Sequence, residues 1–247
     1  MKKKYSGEER FVLNSINQMF GELNSGYLSL QNPNIEIQQT GAIEASAGWQ
    51  ASAIAALTRF SNLKISPIDD RRLLDFFYYF VDKSTRKLDS NPITAKETVG
   101  KLVSGVFGAT AATKFLTNNG YRAWLPETDD DVKHKVDLIF SKSGDTSGKT
   151  NYKLAQIKSV RSSEDGIEIY DDPSHLGRLD TKETLDWEKL TRFSAAVDST
   201  FGGESLDFSP VWVKISHVGL SEPDDWREAI DFIGSCELDQ QGGEDGS

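Results

Sequence analysis

The spacing of apolar residues changes at about residue 93, and this change constrains the fold more than any other feature. From there apolar residues first recur at helical spacing up to Asn118-Asn119-Gly120, where Gly120 suits a left-handed helix end. After the first helix come strand patterns at 121–125, 134–140 and 152–160, a helix at 182–197, a strand at 210–218 and a helix at 223–233. This order of helices and strands predicts an α/β or α+β domain with helices on the faces of one sheet.

Local signals predict where these elements begin and end. Thr94 and Glu97 form the Thr-x-x-Glu pattern of a capping box, which predicts that the first helix begins at Thr94. The Ser/Gly/Lys-rich link 141–151 predicts a hairpin loop between the second and third strands. Loops are also expected at the acidic segment 127–131 and at the polar segment 162–179.

Residues 1–92 carry a different pattern, in which helices are predicted at 8–23, at 43–60 and after Ser66-Pro67. We expect a helical N-terminal subdomain with its boundary near Ser90-Asn91-Pro92. The α/β domain would then span 93–236, and residues 237–247 would form an acidic, flexible tail that is too polar to pack.

Charge does not exclude a nucleic-acid partner, although the net charge is −10. Phosphate contacts need Lys and Arg, so an acidic chain is an unfavourable starting point. However, residues 221–247 hold nine acidic side chains and one Arg, whereas residues 133–161 hold seven basic side chains and two acidic ones. The excess negative charge therefore lies mostly outside the region of the second and third strands.

Several classes of protein are not expected. The Lys-rich start is followed by polar residues and no apolar run spans a bilayer, which predicts a cytoplasmic protein without a membrane segment. The single cysteine, Cys236, cannot form an internal disulfide. Gly100 and Gly105 do not begin a phosphate-binding loop, because Val106 and Phe107 stand where Lys and Ser/Thr are required.

The predicted strands carry polar residues among apolar ones, and we single out three: Asp137 on the second strand, and Gln156 and Lys158 on the third. Because side chains alternate along a strand, Gln156 and Lys158 are expected on one face, where Asp137 from the adjacent strand could reach them. Such groups can bind a metal. A carboxylate is a ligand for Mg²⁺, a carbonyl oxygen from the Gln156 side chain or the Ile157 backbone can complete the shell, and an ammonium can orient water.

These residues resemble the signature of the PD-(D/E)XK, or restriction-endonuclease-like, nuclease superfamily. Its counterparts here are Asp137 and Gln156-Ile157-Lys158. The resemblance covers about half the chain, from Thr94 to Val218, and implies an αβββαβ core. It also implies a nuclease that uses Mg²⁺ or Mn²⁺ and acts on DNA. Asp137 would bind the metal, Gln156 and the Ile157 carbonyl would support its shell, and Lys158 would position water.

The sequence departs from the family pattern at two places. Gln156 replaces the second acidic residue, as in a Gln-x-Lys branch of the superfamily, and Val136 replaces the Pro that often precedes the Asp. The family often adds a Glu from the first helix. Ala109 stands near the expected place and Glu97 lies towards the helix start, so Glu127, Asp131 and Glu97 are all candidates for that ligand, with His134 as a candidate substrate contact.

Other interpretations of the same residues stay open. Asp137 could pair with Lys133 or Lys135 at a strand edge, and Gln156 and Lys158 could form the solvent face of a strand. The chain would then be a non-catalytic interaction protein with a degenerate nuclease fold. A third possibility is that the N-terminal helices are the functional part and bind a protein partner or a second copy of the chain.

Overall fold

The computed structural model describes residues 92–142, 149–173, 179–203, 205–218 and 223–237, together with single positions between 7 and 54. The main ranges form four helices and five strands in one α/β unit. In chain order these are α1 (Pro92–Asn118), β1 (Tyr121–Trp124), α2 (Thr128–His134), β2 (Leu138–Lys142), β3 (Thr150–Arg161), β4 (Gly166–Tyr170), α3 (Thr181–Phe201), β5 (Leu206–His217) and α4 (Pro223–Ser235).

The strands form one mixed sheet in the order β1-β2-β3-β5-β4. The β1–β2, β2–β3 and β4–β5 pairs are antiparallel, whereas β3 and β5 are parallel along their whole length. Two parallel neighbours need a crossover connection, and α3 lies within the one that joins β3 to β5. The predicted mixed α/β architecture is therefore confirmed.

The two faces of the sheet are covered by different helices. On one face, α1 and α4 enclose the main apolar core, in which Phe107 and Leu116 are fully buried. Leu138 and Ala155 point into this core, while their neighbours Ile139 and Leu154 point to the other face and pack near Leu190 of α3. The alternation predicted for β2 and β3 thus fixes which side chains face α1 and which face α3.

The structure corrects the prediction before β2. The acidic segment predicted as a loop is the short helix α2, and the predicted strand 134–140 begins only at Leu138. Acidic residues favour a helix N-terminus and basic ones its C-terminus, and Lys133 and His134 occupy the last turn of α2. The helix ends at Lys135, whose φ is 63°, so Asp137 lies just before β2 and not within it.

Two further predictions were wrong. The segment 162–179 contains β4, which pairs with β5 at the edge of the sheet and directs Ile167 and Ile169 towards the main core. The first helix begins at Pro92, so Thr94 lies inside its first turn and is not the cap. A proline suits this first position because its missing N–H would be unpaired there anyway. At the other end, Gly120 has a φ of 81°, as predicted.

The predictions for residues 1–91 fall mostly outside the described residues. Arg10, Asn14 and Gln18 are helical and exposed, which agrees with the polar face of the helix predicted at 8–23. Ala53 and Ile54 are helical and buried, within the helix predicted at 43–60. The helix predicted after Pro67, most of the 141–151 link and the tail beyond Glu237 lie outside the described residues. None of the described helices combines the length and hydrophobicity needed to cross a bilayer.

The close approach of α1 to β3 depends on Gly108. A Cβ atom at this position would lie 3.2 Å from Cβ of Ser159 and 3.3 Å from Cγ2 of Ile157. We expect Gly108→Val to lower the free energy of unfolding by about 1–3 kcal/mol, because a well-packed interface does not accept the extra volume. Urea denaturation would measure this, with Gly21→Val as the control, since Gly21 is helical and exposed and no described residue lies within 4 Å of a Cβ atom placed there. Equal losses in the two variants would contradict the packing argument.

Candidate metal site

Asp137 is tied to β3 by two hydrogen bonds. Its backbone N–H donates to the carbonyl of Ala155 at 2.8 Å, and its Oδ2 accepts from the backbone N–H of Ile157 at 2.6 Å. Leu138 is paired with Ala155, so Asp137 and Gln156 are the next residues on the two strands and lie opposite each other. The structure therefore brings Asp137 next to the predicted Gln156-Ile157-Lys158 segment.

The Asp137 side chain lines a small cavity of about 100 Å³. Asp131 of α2 lines the same cavity, so two carboxylates from different elements share it. The wall formed by α1 consists of Gly105 and Ala109, which are one helical turn apart, and a Cβ atom at Gly105 would lie 3.3 Å from Oε1 of Gln50. The remaining lining residues are Gln50, Ala51, Ile54, Leu125, Pro126 and Ile157.

The electrostatics of this cavity favour a cation. Burial raises the pKa of Asp137 to about 7 and the nearby charge of Asp131 raises it too, against the lowering effects of the Ile157 hydrogen bond and of Lys158 and Lys135. Burial also raises the pKa of Asp131, which Lys135 partly offsets. Two half-buried carboxylates that repel each other are costly in the ionised state, and a positive charge between them would remove that cost.

The carbonyl oxygen of Ile157 is a further oxygen donor on this side. In an extended strand the N–H and C=O of one residue point to the same edge. The N–H of Ile157 points to Asp137, so its carbonyl points towards the same side, where β2 has not yet begun. This direction fits the predicted role of the Ile157 backbone.

Gln156 and Lys158 share one face, as predicted, but that face is covered by α3. Gln156 is 3% exposed, and its Oε1 has no hydrogen-bond partner among the described residues. The Nζ of Lys158 lies 3.6 Å from Oδ2 of Asp186 on α3 and 5.3 Å from the ring centroid of Trp212. Neither side chain lines the Asp131–Asp137 cavity, although the charge of Lys158 still acts on Asp137.

The other candidate residues are separated by the fold. Glu127 is exposed and precedes α2, where its side chain makes no capping hydrogen bond. His134 stacks on Phe193 of α3, with ring centroids 4.1 Å apart and planes 5° apart, which is a packing role. The side chain of Glu97 is outside the described residues. Of these candidates, Asp131 is the one that the structure places beside Asp137.

Sequence reasoning missed Asp186. The buried residues of α3 are Asp186, Leu190 and Ser194, which recur every four residues. The sequence showed this spacing, but the buried stripe contains two polar residues and was hidden by the more apolar Leu185 and Trp187. Asp186 is 5% exposed and forms an ion pair with Lys158, so it helps to define the position of that lysine.

We expect Lys158→Ala to lower the free energy of unfolding by about 1–3 kcal/mol, because it leaves the buried Asp186 carboxylate without its counter-ion. Adding Asp186→Asn should recover most of this loss, since the neutral amide has a smaller desolvation cost. Urea denaturation of both single variants and the double variant would measure the coupling. Strictly additive changes would show that the ion pair contributes nothing to stability.

Comparison with known proteins identifies no family. The chain matches no protein-family model, no curated protein and no solved structure. The chemistry of the site must therefore be inferred from its own residues.

These residues are compatible with a hydrated divalent cation. Across the described part of the chain, no group of three or more His, Cys, Asp or Glu side chains could hold a metal ion. Mg²⁺ does not need such a group, since it keeps several waters and commonly binds proteins through one or two carboxylates. Asp131, Asp137 and the Ile157 carbonyl meet that requirement, whereas the buried Gln156 side chain is outside the cavity.

Proposed function

We propose that this protein is a cytoplasmic, divalent-metal-dependent nuclease of the PD-(D/E)XK type that hydrolyses phosphodiester bonds, with DNA as its substrate. The observation that supports this most is the shared Asp131–Asp137 cavity at the end of the paired β2 and β3 strands. The restriction-endonuclease-like core is part of the same proposal. It is supported by the observed helix, three-strand, helix and strand order between Pro92 and His217, to which α2 and β4 are added.

Asp137 and Asp131 would bind Mg²⁺ or Mn²⁺, together with the Ile157 carbonyl. A cation held there supplies Lewis-acid activation of a phosphate oxygen and lowers the pKa of bound water. The hydrogen bond from Ile157 occupies Oδ2 of Asp137, so Oδ1 would be the oxygen that binds the cation. Because Asp137 has a pKa of about 7 without a cation, binding would displace a proton and become tighter as the pH rises.

The size of the cavity sets how a substrate would approach. A volume of about 100 Å³ is enough for a cation and a few waters. A nucleotide does not fit inside, so a phosphate would contact the cation from the mouth of the cavity. On the α1 side the cavity is bounded by Gly105 and by Ala109, which is only 3% exposed, together with Gln50 and Ile54 of the N-terminal part.

Lys158 would contribute through its charge. It already lowers the pKa of Asp137 from the α3 side, and its side chain is 25% exposed. A positive charge beside the site counters the negative charge that develops on a phosphate during hydrolysis. Asp186 holds the ammonium in its present position, so Lys158 would reach a bound phosphate only by leaving that ion pair. The N-terminal helices, which contribute Gln50 and Ile54 to the cavity, would select the substrate or a partner.

We expect purified protein to cleave DNA in the presence of Mg²⁺ or Mn²⁺ and to lose that activity in EDTA. Lys158→Ala, combined with Asp186→Asn so that stability is retained, should reduce the rate by about 100-fold or more, the usual cost of removing one electrostatic contact to the transition state. The measurement is the initial rate of cleavage of single- and double-stranded substrates. Cleavage that survives in EDTA, or is unchanged in the double variant, would reject the assignment.

One observation favours a second candidate, a non-catalytic interaction protein with the same fold. Gln156 stands where the second acidic ligand would be, and its side chain is buried against α3. Calorimetric titration with Mn²⁺ separates the two candidates. Binding that disappears in Asp137→Asn supports the nuclease, whereas no heat at millimolar metal, even after Gln156→Glu, supports the interaction protein. Its partner, another protein or a second copy of the chain, would then bind the N-terminal helices.

A further inference from the structure

A row of aromatic rings crosses the α3-facing side of the sheet, beginning at its edge. The rings belong to Trp124 on β1, Tyr152 on β3 and Phe208 on β5, and we call them the aromatic row. The centroids of Trp124 and Tyr152 are 6.0 Å apart, and those of Tyr152 and Phe208 are 5.2 Å apart with planes 15° apart. These are distances of direct ring contact.

The rings lean across the sheet. β2 separates β1 from β3, so these two strands are about 10 Å apart, at about 4.8 Å for each strand. The much shorter distance between the rings of Trp124 and Tyr152 means that both side chains reach over β2. On this face of β2, Trp124 pairs with Ile139, whereas Tyr152 pairs with Ser141, which is only 4% exposed. A small side chain at this position lets the rings lie over the strand.

The outer end of the row is open to solvent. Trp124 is 41% exposed on an edge strand, and α3 reaches the other end, where Asp198 accepts a hydrogen bond from the Phe208 N–H at 3.0 Å. Packing against α3 therefore does not account for a tryptophan at position 124. Arg122 lies two residues earlier, is exposed, and shares the face of Trp124 because side chains alternate along β1.

The row and the proposed metal site lie on opposite faces of the sheet and come together at the end of β1. Trp124 is followed directly by Leu125 and Pro126, which line the Asp131–Asp137 cavity, and it is paired with Ile139, two residues from Asp137. A strand with a phosphate at the cavity would have to pass the end of β1 to place a neighbouring base beside Trp124. An exposed aromatic ring, here Trp124, and the adjacent cation Arg122 suit unpaired bases joined by phosphates, since a base stacks on the ring and the cation contacts the backbone.

We propose that the aromatic row binds single-stranded nucleic acid, with an unpaired base stacked on Trp124 and a phosphate contacting Arg122. This inference rests on the proposed nuclease function and narrows its substrate to strands, ends or loops whose bases are unpaired. Bases inside a duplex are stacked on each other and cannot reach the ring. The site should therefore prefer single strands to duplexes.

Binding can be measured without cleavage. The Asp137→Asn variant in EDTA is titrated against a fluorescently labelled twelve-nucleotide thymidine strand, a duplex of equal length, and an abasic strand with the same phosphates. Fluorescence anisotropy should show that the thymidine strand binds more tightly than the other two. Trp124→Ala in this background should weaken binding of the thymidine strand by about 5- to 150-fold, the range for one base–ring stack, and leave the abasic strand unchanged.

Three control variants locate the effect. Phe232→Ala removes a ring that is 54% exposed on α4, at the other face of the sheet, and should leave binding unchanged. Trp124→Phe should restore most of the binding, and Arg122→Gln should weaken all three probes and reduce the salt dependence. Circular dichroism would verify that each variant is folded. If Trp124→Ala does not fold, the Trp124→Phe and Arg122→Gln variants still test the surface.

The proposal is overturned if the duplex or the abasic strand binds as tightly as the thymidine strand, if Trp124→Ala has no effect, or if no strand binds at millimolar concentration. In those cases the row would be a packing feature or a protein contact. These outcomes are distinct from failure of the nuclease proposal. That failure would appear as single-strand binding through Trp124 in a protein that cleaves nothing in Mg²⁺ or Mn²⁺.

Discussion

Asp137→Asn should abolish metal-dependent cleavage while leaving the fold intact. The amide retains the shape of the carboxylate and can still accept the hydrogen bond from Ile157, but it loses the charge that a divalent cation needs. We expect the rate of DNA cleavage to fall by at least about 100-fold, since even residues outside the ligand shell commonly cost 10- to 100-fold. The measurement is the initial rate over a series of Mg²⁺ and Mn²⁺ concentrations.

A neighbouring carboxylate provides the matched control. Glu127 is four residues from Asp131, but it is exposed and does not line the cavity. Glu127→Gln should therefore leave the rate within about twofold, whereas Asp131→Asn should raise the metal concentration needed for half-maximal rate by about 10- to 100-fold. If Glu127→Gln and Asp131→Asn have equal effects, the Asp131–Asp137 cavity is not the metal site.

The parts of the fold set by local rules could be predicted from the sequence. Gly120 is the example at a helix end, because its φ of 81° is favourable for glycine and strained for most other residues. The alternation of Leu154, Ala155 and Gln156 correctly assigned neighbouring side chains to opposite faces of β3. The pairing of β2 with β3 followed from two apolar runs joined by a short polar link.

What could not be predicted depends on contacts distant in the chain. Nothing in the local sequence shows that the α3 face covers Gln156 and Lys158, or that Asp186 lies beside Lys158. The acidic segment 127–131 has the composition of a solvated loop. Its helical conformation, which ends at the left-handed residue Lys135, is seen only in the structure. Lys135 interrupts the strand alternation before Asp137. Asp137 therefore lines the Asp131–Asp137 cavity in addition to forming hydrogen bonds with β3.

Stability should also depend on pH through Asp137. Its pKa is raised from an unfolded value near 3.8 to about 7, so between these values the folded protein keeps a proton that the unfolded chain releases. The contribution of Asp137 to stability is therefore fully present below about pH 4, declines as the pH rises, and is lost above about pH 7. The difference is at most about 4 kcal/mol, at about 1.4 kcal/mol per pKa unit.

The Asp137→Asn variant separates the pH dependence of stability due to Asp137 from that due to His217, which has the opposite sign. Burial lowers the pKa of His217, so that residue destabilises the fold as the pH falls below about 6.5. We expect the variant to be more stable than the parent at pH 8 and similar at pH 4, as measured by urea denaturation in EDTA. Glu127→Gln should follow the parent at every pH. If the difference in the free energy of unfolding between the parent and Asp137→Asn is the same at pH 4 and pH 8, Asp137 does not titrate in this range.

Mg²⁺ should remove the same destabilisation at high pH. A cation between Asp131 and Asp137 neutralises the repulsion that appears when both are ionised, and it binds the folded chain alone. We expect millimolar Mg²⁺ to raise the free energy of unfolding of the parent at pH 8, to have a much smaller effect at pH 5 where Asp137 is protonated, and to have none on Asp137→Asn at either pH. A Mg²⁺ effect of equal size at pH 5 and pH 8 would place the cation elsewhere, because a cation bound between Asp131 and Asp137 would displace the Asp137 proton near neutral pH.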